Sequence, residues 1–200
     1  MLAERGWRVL STEYRTRKPG WIAVNLDNDL PFGTASFDLV MMLEVIEHLA
    51  DIPHMLGEIA RVMKPGAVAI VTTPNRLNVS SRIHYLLSGY YKGRRAPLAY
   101  KYRVADGRNW HVMGLNDLHW IAWGAGLRMD AIGRSRRKMR SRILAPILWP
   151  FIAGFSWMLY GRAKDPKQRE INRELLGFMT SASLLMDENI IMRFRRIEER

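Results

Sequence analysis

Two hundred residues suit one domain with a substantial core, and an apolar content of 48% excludes a disordered chain. The absence of cysteine excludes disulfides, zinc–thiolate sites and thiol catalysis, and it suits a reducing cytoplasm. The net charge of +12 is unevenly placed: residues 134–169 hold ten Lys or Arg against Asp165 alone, and residues 76–108 hold eight against Asp106. Such clusters predict polyanionic neighbours: lipid headgroups, phosphorylated substrates or nucleic acid.

The first six residues show no basic-then-apolar signal pattern and read as the tail of a helix, closed by Gly6. Residues 7–14 follow as a short strand ending in Glu13, then a basic turn over 15–20 and a second apolar strand over 21–26. Asp, Asn, Pro and Gly make residues 27–36 a loop. The run Phe37-Asp38-Leu39-Val40-Met41-Met42-Leu43 predicts a strand buried on both faces.

Asp51 is a candidate N-cap for a helix in which Ile52, Met55, Leu56, Ile59, Ala60 and Met63 recur at helical spacing. Lys64-Pro65-Gly66 stops it, and residues 67–73 form another buried strand. Strand, helix and strand with short joints imply a right-handed parallel crossover, hence a doubly wound α/β sheet.

Residues 76–108 read as irregular, basic and aromatic, with Tyr85, Tyr90, Tyr91, Tyr100 and Tyr102. A short helix over 116–126 and a strand over 127–133 come next. Residues 143–160 carry no charge but include Pro146, Pro150 and Gly154, and residues 189–197 alternate like a half-exposed strand.

Leu30-Pro31-Phe32, Phe37-Asp38-Leu39-Val40, Glu44-Val45-Ile46-Glu47-His48, Arg61-Val62-Met63-Lys64-Pro65-Gly66 and Thr73-Pro74-Asn75 occur in this order. In that register the chain resembles the class I S-adenosylmethionine-dependent methyltransferases, type 11-like, over residues 1–133 and more loosely over 189–197. The resemblance implies S-adenosylmethionine as cofactor and a Rossmann-like sheet with an antiparallel last strand. In the family's strand numbering the expected order is 3-2-4-5-7-6, with a gap or a direct pairing where strand 1 belongs. Ligands of such sheets sit beyond the carboxyl ends of the strands.

By that resemblance Glu13 would accept hydrogen bonds from the ribose hydroxyls. Either Asn25 or Asp27 would accept from the adenine amino group, and Leu26 would pack on the adenine or belong to the core. Glu44, Glu47 and His48 follow the fourth family strand, beside the methyl-donor pocket. Three uses stay open for the Glu47–His48 pair: His48 as general base, a divalent ion completed by His111 as in similar RNA-end enzymes, or a helix cap. Glu47 and His48 are taken as the catalytic candidates and no metal ligand is assigned.

Relatives begin with an apolar strand and a GxGxG turn, and nothing in these residues corresponds to them. The expectation is a start assigned too late, with a decayed homologue as the alternative. Residues 1–133 would form the methyltransferase core, 134–188 a basic and apolar helical insertion, and 189–200 the last core strand and tail.

Residues 143–160 approach the length of a membrane span, yet the chain must return to the same sheet, so one complete crossing is impossible. An interfacial or re-entrant helix, rich in Trp and flanked by basic residues, is expected; a packed helical subdomain is the alternative. The function expected is methyl transfer to a small-molecule, lipid-linked or glycan acceptor, in the cytoplasm or peripherally on the inner face of the membrane. The rival readings are a non-catalytic module at a membrane and an RNA-modifying enzyme.

Overall fold

The computed structural model describes residues 3–15, 18–89 and 113–197. Tyr90, Tyr91, Tyr100, Tyr102 and His111 lie outside these. After a 3-10 turn at Ala3–Arg5, strand β1 (Ser11–Glu13) pairs in parallel with β2 (Trp21–Ala23) as a two-stranded sheet. A four-stranded sheet follows, made from β3 (Phe37–Leu43), β4 (Met63–Pro74), β5 (Leu127–Ile132) and β6 (Asn189–Arg196). Its order is β3-β4-β6-β5, with β3 parallel to β4, and β6 antiparallel to both β4 and β5. In the family's numbering the four-stranded sheet runs 4-5-7-6, as expected, while strands 2 and 3 pair separately in the small sheet.

Helix α1 (Ile52–Val62) begins where Asp51 accepts a hydrogen bond from the His54 backbone at 2.9 Å. Its apolar stripe, Met55, Leu56 and Ile59, is buried against Ala69 and Val71 of β4 and Met192 and Phe194 of β6. Helix α3 (Leu115–Gly124) adds Leu115, Leu118 and Ala122 to the same core. Arg193 and Arg195, one strand period apart on the other face, grip Asp130 of β5 at 2.7 and 2.6 Å.

Several expectations need correction. Only Ser11–Glu13 of the first expected strand is paired, because β2 is its one partner among the described residues, and Trp7, Val9 and Leu10 stay exposed. The β3 strand was expected to be buried on both faces. It is an edge strand among the described residues, and only one face is covered: Met42 is buried, whereas Met41 and Leu43 on the other face are exposed. Met63 opens β4 instead of closing α1, and Lys64-Pro65-Gly66 lies inside that strand. The register slips there between Phe37 and Leu39, with Gly66 at φ +71°, so the tripeptide makes a bulge that only glycine enters without strain.

The irregular segment also contains a helix, α2 (Val79–Ser88). Asn78 caps it by accepting from the Ser81 backbone at 3.0 Å, and Gly89 closes it in the left-handed conformation. Finally, the uncharged run belongs to the longer α4 (Met139–Tyr160), which continues through both prolines.

The loop before β3 is held by an ion pair. Arg61 donates from Nε and Nη2 to Glu58, both at 2.6 Å, and reaches the carbonyls of Phe32 and Leu30 at 2.9 and 3.0 Å. Glu58 in turn accepts from the Leu30 backbone at 2.7 Å. The guanidinium beside it lowers the Glu58 carboxyl to about 2 from an ordinary 4.5. A depressed folded-state value means stability that is present above the ordinary value and lost as pH falls through the folded one. Glu58→Gln is therefore expected to lower the urea midpoint at neutral pH. Its gap from the unchanged chain should close between pH 4.5 and about 2; a gap constant with pH would contradict the assignment.

Candidate active site at the carboxyl ends of the strands

Most of the candidate residues stand at or just after the carboxyl end of a strand. Glu13 ends β1, Asn25 and Asp27 follow β2, and Glu44 follows β3 directly. Lys18 places its ammonium 3.7 Å from Glu13 and lies over the Trp21 ring at 4.2 Å. Asn25 and Asp27 differ in their engagement. The Asn25 side-chain oxygen accepts from the Asp27 backbone at 3.2 Å, whereas Asp27 accepts from the Ala50 backbone at 3.0 Å. Asp27 thus ties the end of β2 to the loop before α1. Leu26 is half-buried and packs against the main core.

Glu44 sits in the left-handed region at φ +55° although it has a side chain. Its backbone N–H is held by the Thr72 carbonyl at 3.1 Å and the Thr72 hydroxyl at 3.0 Å. Much of the residue is open to solvent, yet partial burial, first, and the Glu47 carboxylate push its carboxyl above the ordinary value. A hydrogen bond from Thr72 opposes the shift. Strain of this kind persists where surrounding structure over-determines the backbone, and it concentrates at functional sites.

The chain then makes a 3-10 turn, Ile46–His48, that turns Glu47 inward. Glu47 is 5% exposed and accepts from the Thr73 hydroxyl at 3.2 Å; its other oxygen lies 4.0 Å from His48 Nε2. His48 remains accessible on the outer side of the turn. Glu47, Thr73 and Arg76 are the polar members of a recess closed by Ile46, Ile52, Met113 and Leu118.

Thr72, Thr73 and Arg76 were not singled out as site residues from the sequence. Their roles depend on the pairing of Leu43 with Thr72, which brings the end of β4 beside Glu44 and Glu47. The signal was present in Thr73-Pro74-Asn75-Arg76, which marks a strand running out into a loop at the ligand edge. His111 lies outside the described residues, and among those residues no group of three or more His, Asp or Glu could hold a metal ion.

Glu13, Asn25, Asp27 and Glu44 follow one another in sequence at the strand ends, each with a carboxylate or amide oxygen able to accept a hydrogen bond. The strain at Glu44 is directly measurable. Glu44→Gly is expected to be more stable than Glu44→Ala by about 1 kcal/mol in urea unfolding, because only glycine accepts the left-handed backbone. Equal stabilities would mean the backbone relaxes and holds no strain.

Comparison with known proteins bears on the family and the fold. Residues 1–132 match the methyltransferase-domain family. A probable S-adenosylmethionine-dependent methyltransferase of Mycolicibacterium smegmatis is 46% identical over 52 residues, covering 26% of this chain and 20% of the relative. A ubiquinone biosynthesis O-methyltransferase of Rhodopseudomonas palustris is 52% identical over 40 residues, covering 20% of this chain and 16% of the relative. The matched stretch therefore spans a fifth or less of these curated relatives. In fold, the chain superposes on an Archaeoglobus fulgidus SAM-dependent methyltransferase with a TM-score of 0.56 at 14% identity, covering 96% of this chain and 78% of that one. The chain belongs to the methyltransferase-domain family and has the Rossmann-like fold of the class I enzymes that use S-adenosylmethionine.

Proposed function

We propose that this chain carries out S-adenosylmethionine-dependent methyl transfer to a small-molecule, lipid-linked or glycan acceptor, while lying peripherally on an anionic membrane surface. The observation that carries the catalytic half is the Thr73–Glu47–His48 series at the ends of β3 and β4. His48 is accessible and takes the proton leaving the acceptor's hydroxyl or amine. Glu47, buried and held by Thr73, orients the imidazole and stabilises the charge it gains. Glu13 would hold the ribose hydroxyls, and Asn25 or Asp27 the adenine amino group. The cofactor, when bound, supplies an electrophilic methyl group.

The membrane half rests on α4. It is long and apolar enough to cross a membrane by length and composition, and little of it is buried. Met139, Ile143, Ile147, Phe151, Phe155 and Leu159 are exposed along it, and Trp149 and Trp157 are exposed on another side of the same helix. Arg140 and Arg142 stand in its first turn, and Arg162 and Lys164 follow its end. Each such residue near an anionic leaflet contributes about 1 kcal/mol, and apolar burial adds about 25 cal/mol per Å². An interfacial helix satisfies both sets of side chains at once.

The test uses radiolabelled S-adenosylmethionine with membrane lipid, polar metabolite and RNA fractions offered in parallel. Label should appear in the lipid or metabolite fraction, and His48→Asn or Glu47→Gln should cut the rate by about 100-fold or more. Label confined to RNA, or transfer indifferent to both substitutions, would contradict the proposal.

A further inference from the structure

The most exposed large apolar side chains among the described residues are not on α4. Leu86 and Leu87, at the end of α2, are 81% and 80% exposed. They continue the stripe of Val79 and Ile83, which packs with Leu144, Leu148 and Ile152 of α4. The two helices start side by side, where the Ser80 backbone donates to Ser141 Oγ at 3.3 Å. Leu86 and Leu87 lie one turn beyond Ile83, about 5 Å further along the axis. The end of α2 therefore projects an apolar tip beside α4.

An uncovered apolar patch of this kind marks an interaction surface. The tip adjoins α4, whose exposed apolar side chains are flanked by Arg140, Arg142, Arg162 and Lys164, a pattern that suits an anionic bilayer better than an apolar protein groove. We propose that Leu86 and Leu87 form a second insertion point into the same anionic bilayer as α4. A helix lying in the interface leaves rotation about its own axis free, and an insertion point off that axis removes it. This inference rests on the membrane reading above, and it adds which way the molecule faces. Because α2 leaves the carboxyl end of β4 directly, docking through both helices turns the Glu47 recess toward the lipid headgroups.

The absence of cysteine allows single labels to be placed cleanly. Leu87→Cys and Phe155→Cys, each carrying an environment-sensitive fluorophore, are titrated with phosphatidylglycerol–phosphatidylcholine vesicles and with pure phosphatidylcholine vesicles. Both labels should shift to the blue with the anionic vesicles. The double substitution Leu86→Ser with Leu87→Ser should weaken partitioning about tenfold, or ~1.4 kcal/mol. A response at position 155 alone would overturn the second insertion point and leave α4 as the anchor. A response at neither position would remove the membrane reading as well. A shift at position 87 that follows protein concentration without vesicles would assign the tip to a second copy of the chain instead.

Discussion

The antiparallel strand β6, wedged between β4 and β5, constrains everything that follows β5. The register Pro74 to Asn189 on one side and Ile132 to Met192 on the other means that β5 ends, and β6 begins, at the carboxyl edge of the parallel strands. Residues 133–188 must therefore leave and re-enter at that one edge. The two stems meet there: the Glu188 backbone donates to Arg136 at 2.8 Å, and Lys138 donates to Met186 at 2.9 Å. A helix held by both stems cannot carry the chain to the far side of a bilayer. Beyond the stems α4 packs against α2, α5 and α6, and the stems leave the sheet at the edge where Glu44 and the Glu47–His48 turn stand.

A buried polar staple couples that insertion to the site. The Asn75 side chain donates to the carbonyls of Leu184 and Asp187 at 2.8 and 2.9 Å and accepts from the Leu77 backbone. Asn78 caps α2 and accepts from Ser141 of α4 at 3.3 Å. Both asparagines are almost fully buried, so each lost partner would leave a desolvated group at a cost of about 1–3 kcal/mol. Two residues at the end of β4 thus fix α2, α4 and the short helix α6 (Ala182–Met186) relative to the strand that supplies Thr73. On the outer side, Trp149 donates to the Thr180 carbonyl, and Asn172 of α5 (Pro166–Met179) donates to Tyr160, so α5 and the turn after it cover one flank of α4 while apolar side chains along the helix stay exposed.

What was legible in the sequence was local or carried by motif spacing. The strand–helix–strand unit from Phe37 to Thr73 could be read because apolar periodicity, an Asp cap and a Lys-Pro-Gly break agree over short range. Glu47 and His48 were legible as a pair, but their neighbours were not, since Thr73 reaches Glu47 only through strand pairing. Helix α2 was hidden by its basic and aromatic surroundings, because its apolar side chains face α4, more than fifty residues away in sequence. Prolines 146 and 150 suggested interruption, yet each removes only one backbone donor and the helix runs on. The exposure of Met41 and Leu43 depends on what covers their face of β3, and composition carries no information about that.

The central claim is that the edge bearing the site is the edge that meets the membrane. Amide hydrogen exchange of the whole chain, with and without anionic vesicles, measures this directly. The account predicts added protection along α2 and α4 and at the turn holding Glu47 and His48, with none at Lys64 to Gly66 or Arg195 to Ile197 on the opposite edge. Protection at the opposite edge, or an unchanged pattern at saturating vesicle concentration, would contradict it.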